Sequence, residues 1–157
     1  MNNTLRLIIS IAICLAIGGL GSLFTTPEID HWYQTLQKPS WNPPSWVFGP
    51  VWTLLHILMG IALYIVWKKP TFKNIKRPAI ILFSIQLLLN LAWSWIFFNQ
   101  HNITGAFIDI CMLWVAILLC IFSFARIYRS AAWLLVPYIS WVSFAAVLNF
   151  TIWQLNK

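Results

Sequence analysis

The chain has 157 residues, of which 61% are hydrophobic, 17% aromatic and only 8% charged, with a net charge of +7 and a mean hydropathy of +0.78. Soluble domains carry roughly 25% charged residues, and one this apolar would expose adhesive patches in water, so the composition excludes an ordinary soluble globule and points to a bilayer as solvent. The positive charge does not mark a nucleic-acid partner, because the basic residues flank apolar runs and no basic face interleaves with loop aromatics.

A membrane-spanning helix needs about 20 apolar residues, and five segments qualify: Leu5–Phe24, Trp46–Trp67, Pro78–Phe98, Thr104–Ala125 and Ala131–Trp153. Backbone groups in lipid must be satisfied within the segment, so these are helices rather than strands. The expected fold is an all-α integral membrane protein, a five-helix bundle forming one domain over residues 1–157. In the first span Arg6 precedes the apolar run, as in a secretory signal, but the run is long and no A-x-A cleavage site follows, so it reads as a retained helix. Cys14, Gly18 and Gly21 share one of its faces and permit close helix approach. Gly18 and Ser22 form a small-xxx-small pair that fits packing inside the bundle or between two copies.

Residues 25–45 are long for a helix–helix connection and too aromatic for disorder, so they read as a folded lid. Trp32, Pro39, Trp41, Pro43 and Pro44 are its candidate elements, with the tryptophans resting on the bundle mouth. Pro43, Pro44 and Pro50 suit the start of the second helix, where a missing N–H costs little. Along that helix Trp52, His56, Met59 and Leu63 share a face; on the third, Gln86, Asn90, Trp93 and Phe97 do, with Trp95 turned toward lipid. Asp109 lies one turn into the fourth helix, as a dipole partner, an interhelical acceptor or a coupled-ion site. The fifth carries a stripe of Tyr138, Trp141, Ala145, Leu148, Asn149 and Ile152.

The loops joining spans two to three and four to five, with the N-terminal end, carry Arg6, Lys68, Lys69, Lys73, Lys76, Arg77, Arg126 and Arg129. The opposite side holds Lys38 and Lys157 with Glu28 and Asp30. The positive-inside rule therefore puts the N-terminus in the cytoplasm and the lid on the outer side.

Gln86, Asn90 and Asn149 are costly in apolar helices unless partnered, so they should face the bundle interior. They read either as interhelical hydrogen-bond glue or as polar groups of a pocket with aromatic walls. Trp32, Trp41, Trp67 and Trp153 lie near span ends and suit interfacial belts, whereas Trp52 and Trp141 lie deeper and are the better pocket candidates. Cys14, Cys111 and Cys120 have no CxxC spacing, and His31, His56 and His101 have no HxxxH or carboxylate spacing, so neither a disulfide framework nor a metal site is expected. A Leu58–Tyr64–Lys68 sterol-type pattern is of a kind that recurs by chance. No nucleophile–base arrangement or phosphate loop appears, which argues against a hydrolase or nucleotide enzyme. One intramembrane acid without inverted repeats does not resemble a coupled carrier.

The strings "WYQTLQKPSWNPP", "PVW" and "YIVWK", then "QLLLNLAWSWIFF", "AFIDICML" and "LLVPYISWVSFAAVLNFTIWQLN", resemble the TspO/translocator protein family, in that family's order and over nearly the whole chain. The resemblance implies a five-helix membrane bundle, often a homodimer. It implies binding of porphyrins such as protoporphyrin IX or haem and of benzodiazepine-site ligands, in a site between the helices closed by the first long loop. It carries pocket residues over to Trp52, Asn90, Trp141, Ala145 and Leu148. The wider expected ligand set adds His56, Gln86, Trp93, Phe97 and Tyr138. The implied role is porphyrin sensing, transport or sequestration, with the porphyrin as ligand rather than cofactor and no metal. The alternative is light- and oxygen-dependent porphyrin degradation, for which Trp52 and Trp141 would be the catalytic pair. Phe150 and Gln154 replace the tyrosine and basic residue of the animal sterol motif, "WSW" at 93–95 replaces "WPP" and suggests a straighter third helix, and His56 replaces an aromatic. The short C-terminus lacks the animal tail, which suggests a bacterial cell membrane.

Overall fold

The computed structural model describes residues 1–157 and is built from helices alone. In chain order these are α1 (Asn3–Ile29), the short α2 (Trp32–Thr35), a 3-10 turn at Ser45–Val47 leading into α3 (Phe48–Lys68), α4 (Lys73–Ser94) continued by a π-helical turn at Trp95–Asn99, α5 (Ile103–Ala125), the short α6 (Arg129–Trp133) and α7 (Val136–Leu155). Five stretches are long and apolar enough to cross a membrane, and they coincide with the five expected spans. The protein is a multi-pass integral membrane bundle.

Three boundaries differ from the sequence expectation, each for a backbone reason. The first helix continues past Phe24 to Ile29, so much of the expected 25–45 lid is shorter and begins only at Asp30. Apolarity ends at Thr25, but hydrogen bonding does not: Thr25 Oγ1 donates to the Gly21 carbonyl at 3.0 Å, and Pro27 near the helix end deletes a single backbone donor. The third helix starts at Lys73 rather than Pro78, and its basic first turns therefore lie outside the apolar run. There Lys76 Nζ donates to the carbonyls of Trp67, at 3.1 Å, and Lys69, satisfying orphan acceptors at the end of α3. The fifth span is two helices, not one. Pro137 falls in the first turn of α7, where its ring would clash with the carbonyl four residues back in a continuous helix, and the chain breaks at Leu134–Leu135.

The third helix also ends in a wider turn than expected. The N–H of Gln100 reaches back to the Trp95 carbonyl at 3.0 Å, five residues away. That turn brings Phe97 and Phe98 both inward, 2% and 7% exposed, while Trp95 stays on the outside at 42%.

The half of the bundle away from the lid is filled. Met59, Val66, Phe83, Ile117, Cys120 and Phe124 are essentially buried there, with the Phe83 and Phe124 rings stacked at 5.6 Å. α1 lies against α3, and a Cβ added at Gly60 would sit 2.6 Å from the Ile11 Cα, so Gly60 permits that approach. The lid half is packed less completely. Its own cluster of Tyr33, Phe97, Phe98, Ala106, Leu148 and Ile152 surrounds an opening between the helices.

Candidate ligand-binding site

That opening is a cavity of about 360 Å³, within the range of roughly 300–1,000 Å³ common for small-molecule sites. Its wall is assembled from α1, α3, the α4 end with its π-turn, α5 and α7, and Tyr33 of α2 closes it. Helical spacing explains each contribution. Trp52 and His56 are one turn apart on α3; Asn90, Trp93 and Phe97 follow the same rule on α4; Trp141, Ala145 and Leu148 do so on α7. All eight are expected site residues, and the fold brings them to one cavity.

Gln86 and Tyr138 do not reach the wall and lie behind it, 1% and 0% exposed. Each instead braces a wall residue or its helix. The Tyr138 hydroxyl accepts from Asn90 Nδ2 at 2.9 Å, and its ring packs edge-on against Trp52 at 6.2 Å. Gln86 Nε2 points to Met59 Sδ at 3.8 Å, a weak bond between α4 and α3, while Gln86 Oε1 is buried without a partner. Asn149 unites both readings of a polar residue in a span: it lines the cavity, accepts from Trp93 Nε1 at 3.0 Å and donates to the Ile103 carbonyl at 3.1 Å.

Two wall residues carry buried polar atoms that no protein group satisfies. The Trp52 carbonyl, an acceptor only, lies 2.7 Å from His56 Nδ1, so the proton sits on Nδ1 and Nε2 is left as an unpartnered acceptor. Trp141 Nε1 is an unpartnered donor. Such groups are uncommon in folded interiors and each calls for a cause. A Cβ at Gly18 would approach the His56 ring to 3.0 Å, so that glycine makes room for the imidazole.

The lid has a different face inward from the one its tryptophans suggest. Trp32, Pro39, Trp41, Pro43 and Pro44 do not line the cavity; Tyr33 does, 6% exposed. Neighbours in a helical turn point about 100° apart, so when Tyr33 faces in, Trp32 faces sideways, onto Phe97 edge-to-face at 5.4 Å and flat on His101 at 4.3 Å. Trp41 rests edge-on against Phe144 at 5.9 Å. Tyr33 Oη donates to Asn42 Oδ1 at 3.0 Å, and Lys38 Nζ sits over its ring at 4.8 Å while donating to the Tyr33 and Leu36 carbonyls. Burial raises the Tyr33 phenol above its ordinary pKa, partly offset by the Asn42 bond. Sequence reasoning also missed the α1 wall: Gly18, Gly21 and Ser22 were read as packing residues only, and Thr25 and Ile29 lie on helix beyond the expected end of the span.

Of the three readings open to Asp109, the interhelical bond is not made: the side chain is 3% exposed and Oδ2 has no partner. The histidines are separately engaged, His31 with the Pro27 carbonyl, His56 with that of Trp52 and His101 with Glu28. Cys14 and Cys120 are buried and Cys111 faces outward from α5.

A bundle of five membrane spans with an aromatic cavity near one end, closed by a folded first loop, defines a membrane receptor-type architecture. A sequence profile described as TspO/MBR family matches residues 10–154. The chain is 50% identical over 152 residues to the tryptophan-rich protein TspO of Chlorobaculum tepidum, covering 97% of this chain and 96% of that protein. It is 44% identical to the tryptophan-rich protein TspO of Archaeoglobus fulgidus, covering 98% and 99%, and 38% identical to the human translocator protein, covering 87% and 82%. The chain belongs to the TspO/MBR family, and this membership supports a membrane sensor- or receptor-type role.

Proposed function

We propose that the cavity binds tetrapyrroles, protoporphyrin IX among them, and that the protein senses, sequesters or moves them within the bilayer. The observation that carries this reading is the wall itself: Trp52, Trp93 and Trp141 line one space together with the polar side chains of His56, Asn90 and Asn149. Flat conjugated rings stack on indoles with large apolar burial and little ordering cost.

Titration of the purified protein with protoporphyrin IX tests the reading. Tryptophan fluorescence should quench saturably, and Trp52→Phe and Trp141→Phe should each weaken affinity severalfold. Unchanged affinity and quenching in both variants would remove the pocket assignment.

The presence of both Trp52 and Trp141 on the cavity wall favours a second reading, light- and oxygen-dependent porphyrin breakdown. The ligand's own photochemistry would supply the reactivity, since the wall has no general acid–base pair. Loss of the bound porphyrin's main absorption band under illumination, only while both tryptophans are present, would support it.

The favoured orientation has the N-terminus cytoplasmic and the lid outside, as the basic residues of the α3–α4 and α5–α6 connections suggest, in what the sequence reading takes to be a bacterial cell membrane. Cysteines introduced at 70–72 should then be protected from an impermeant reagent in intact cells. A homodimer accords with the family resemblance, and crosslinking in the bilayer would test it.

A further inference from the structure

One cluster outside the cavity joins the end of α1 and the start of the lid to a turn 73 residues further along the chain. His101, in the turn between α4 and α5, places Nε2 3.0 Å from Glu28 Oε2 at the end of α1. The same imidazole lies flat against the Trp32 indole, with centroids 4.3 Å apart and planes 13° from parallel. Its backbone is the single non-glycine residue with positive φ, at 53°. A left-handed residue persists where its surroundings over-determine it, and here the ring is held on its edge by a carboxylate and on its face by an indole. Trp32 adjoins Tyr33, the residue that closes the cavity.

We propose that Glu28, His101 and Trp32 form a proton-sensitive latch that holds the lid over the cavity and sets how fast a ligand leaves. The proposal rests on the ligand-binding reading above. A neutral imidazole with its proton on Nε2 already donates to Glu28. Protonation turns that bond into an ion pair and places a cation over the Trp32 face. The latch therefore tightens when the imidazole takes up a proton and slackens when it loses it. The other titratable groups on these elements are engaged elsewhere. Asp30 Oδ1 accepts from Gln34, His31 bonds the Pro27 carbonyl, Lys38 serves the Tyr33 and Leu36 carbonyls, and Tyr33 is bonded to Asn42. No other ion pair is present in the chain. With the side chains of His101 and Glu28 42% and 29% exposed, solvent screens the pair, so the effect is modest.

The test measures dissociation of protoporphyrin IX from the wild-type protein in nanodiscs between pH 6 and 8.5, by recovery of tryptophan fluorescence. Wild-type dissociation should speed up about threefold with rising pH. The profile should flatten in His101→Gln and in Glu28→Gln while equilibrium binding survives in both. A flat wild-type profile, or an unaltered slope in both variants, overturns the latch and leaves the binding reading standing. Wild-type protein that binds no porphyrin overturns the binding reading, and the latch is then decided by hydrogen exchange of residues 32–38 at pH 6. Faster exchange in His101→Gln than in wild type supports it; equal exchange overturns it.

Discussion

Asn90 of α4 donates through Nδ2 to the Tyr138 hydroxyl of α7 at 2.9 Å, so a polar residue on the cavity wall is tied to one that stands behind it. Asn90 lines the cavity with its remaining carbonyl capacity, while Tyr138 is fully buried and packs edge-on against Trp52. Tyr138→Phe removes the hydroxyl and leaves Asn90 Nδ2 without its protein partner. Interhelical bonds in membrane proteins are worth roughly 0.6 kcal/mol on average and up to about 1.7. A thermal shift of a few degrees is expected, with porphyrin affinity falling less than in Asn90→Ala. Equal losses in the two variants would show that Asn90 acts only through Tyr138.

The contact between α1 and α3 predicts a contrast among glycines. Gly60→Ala puts a methyl 2.6 Å from the Ile11 Cα, a backbone atom that cannot step aside alone, so the two helices must separate. A loss of about 1–3 kcal/mol is expected, in line with overpacked cores. Gly19→Ala and Gly49→Ala meet nothing within 4 Å and should leave unfolding in detergent unchanged or slightly harder. A Gly60→Ala protein as stable as wild type would contradict the packing of α1 on α3.

The far end of the lid is clamped to the end of α7. Gln37 N–H donates to Asn156 Oδ1 at 2.9 Å, and Asn156 Nδ2 returns a bond to the Gln37 carbonyl at 2.8 Å. Asn156→Ala deletes both. Limited proteolysis between residues 36 and 44 should accelerate severalfold without a comparable fall in thermal stability, because the clamp is exposed and holds a connection rather than the core. Unchanged cleavage would mean that the lid is held by Tyr33 and Trp32 alone.

Tyr33 gives the lid an alkaline limit. Its phenol titrates above the ordinary tyrosine range because burial disfavours the phenolate. A raised folded-state pKa contributes stability that is fully present below the unfolded value, about 10. That stability is lost as pH rises through the folded value. Phenolate absorbance of a variant retaining only Tyr33 should show it ionising above the ordinary tyrosine range, and lid protection should fall as it does. Ionisation within the ordinary range would contradict the burial.

Much of this protein was legible in the chain alone. Five spans, their order and the inward faces of α3, α4 and α7 follow from apolar length and a 3.6-residue period, because lipid forces every backbone group into its own helix. Trp52, His56, Asn90, Trp93, Phe97, Trp141, Ala145 and Leu148 could be selected in this way because each face is local to one helix. Three features waited for the folded chain. The lid presents Tyr33 rather than Trp32 to the cavity, since one helical turn in a short segment carries no period to read. Gln86 and Tyr138 stand behind the wall, since depth depends on how far each neighbouring helix is rotated and how closely it packs. Glu28, Trp32 and His101 meet only because α1 runs beyond its apolar stretch and the α4–α5 turn holds a left-handed residue beside it. Composition and period determine what must be buried; the distances between separate helices, and so the cavity and its fastening, are settled only when the bundle closes.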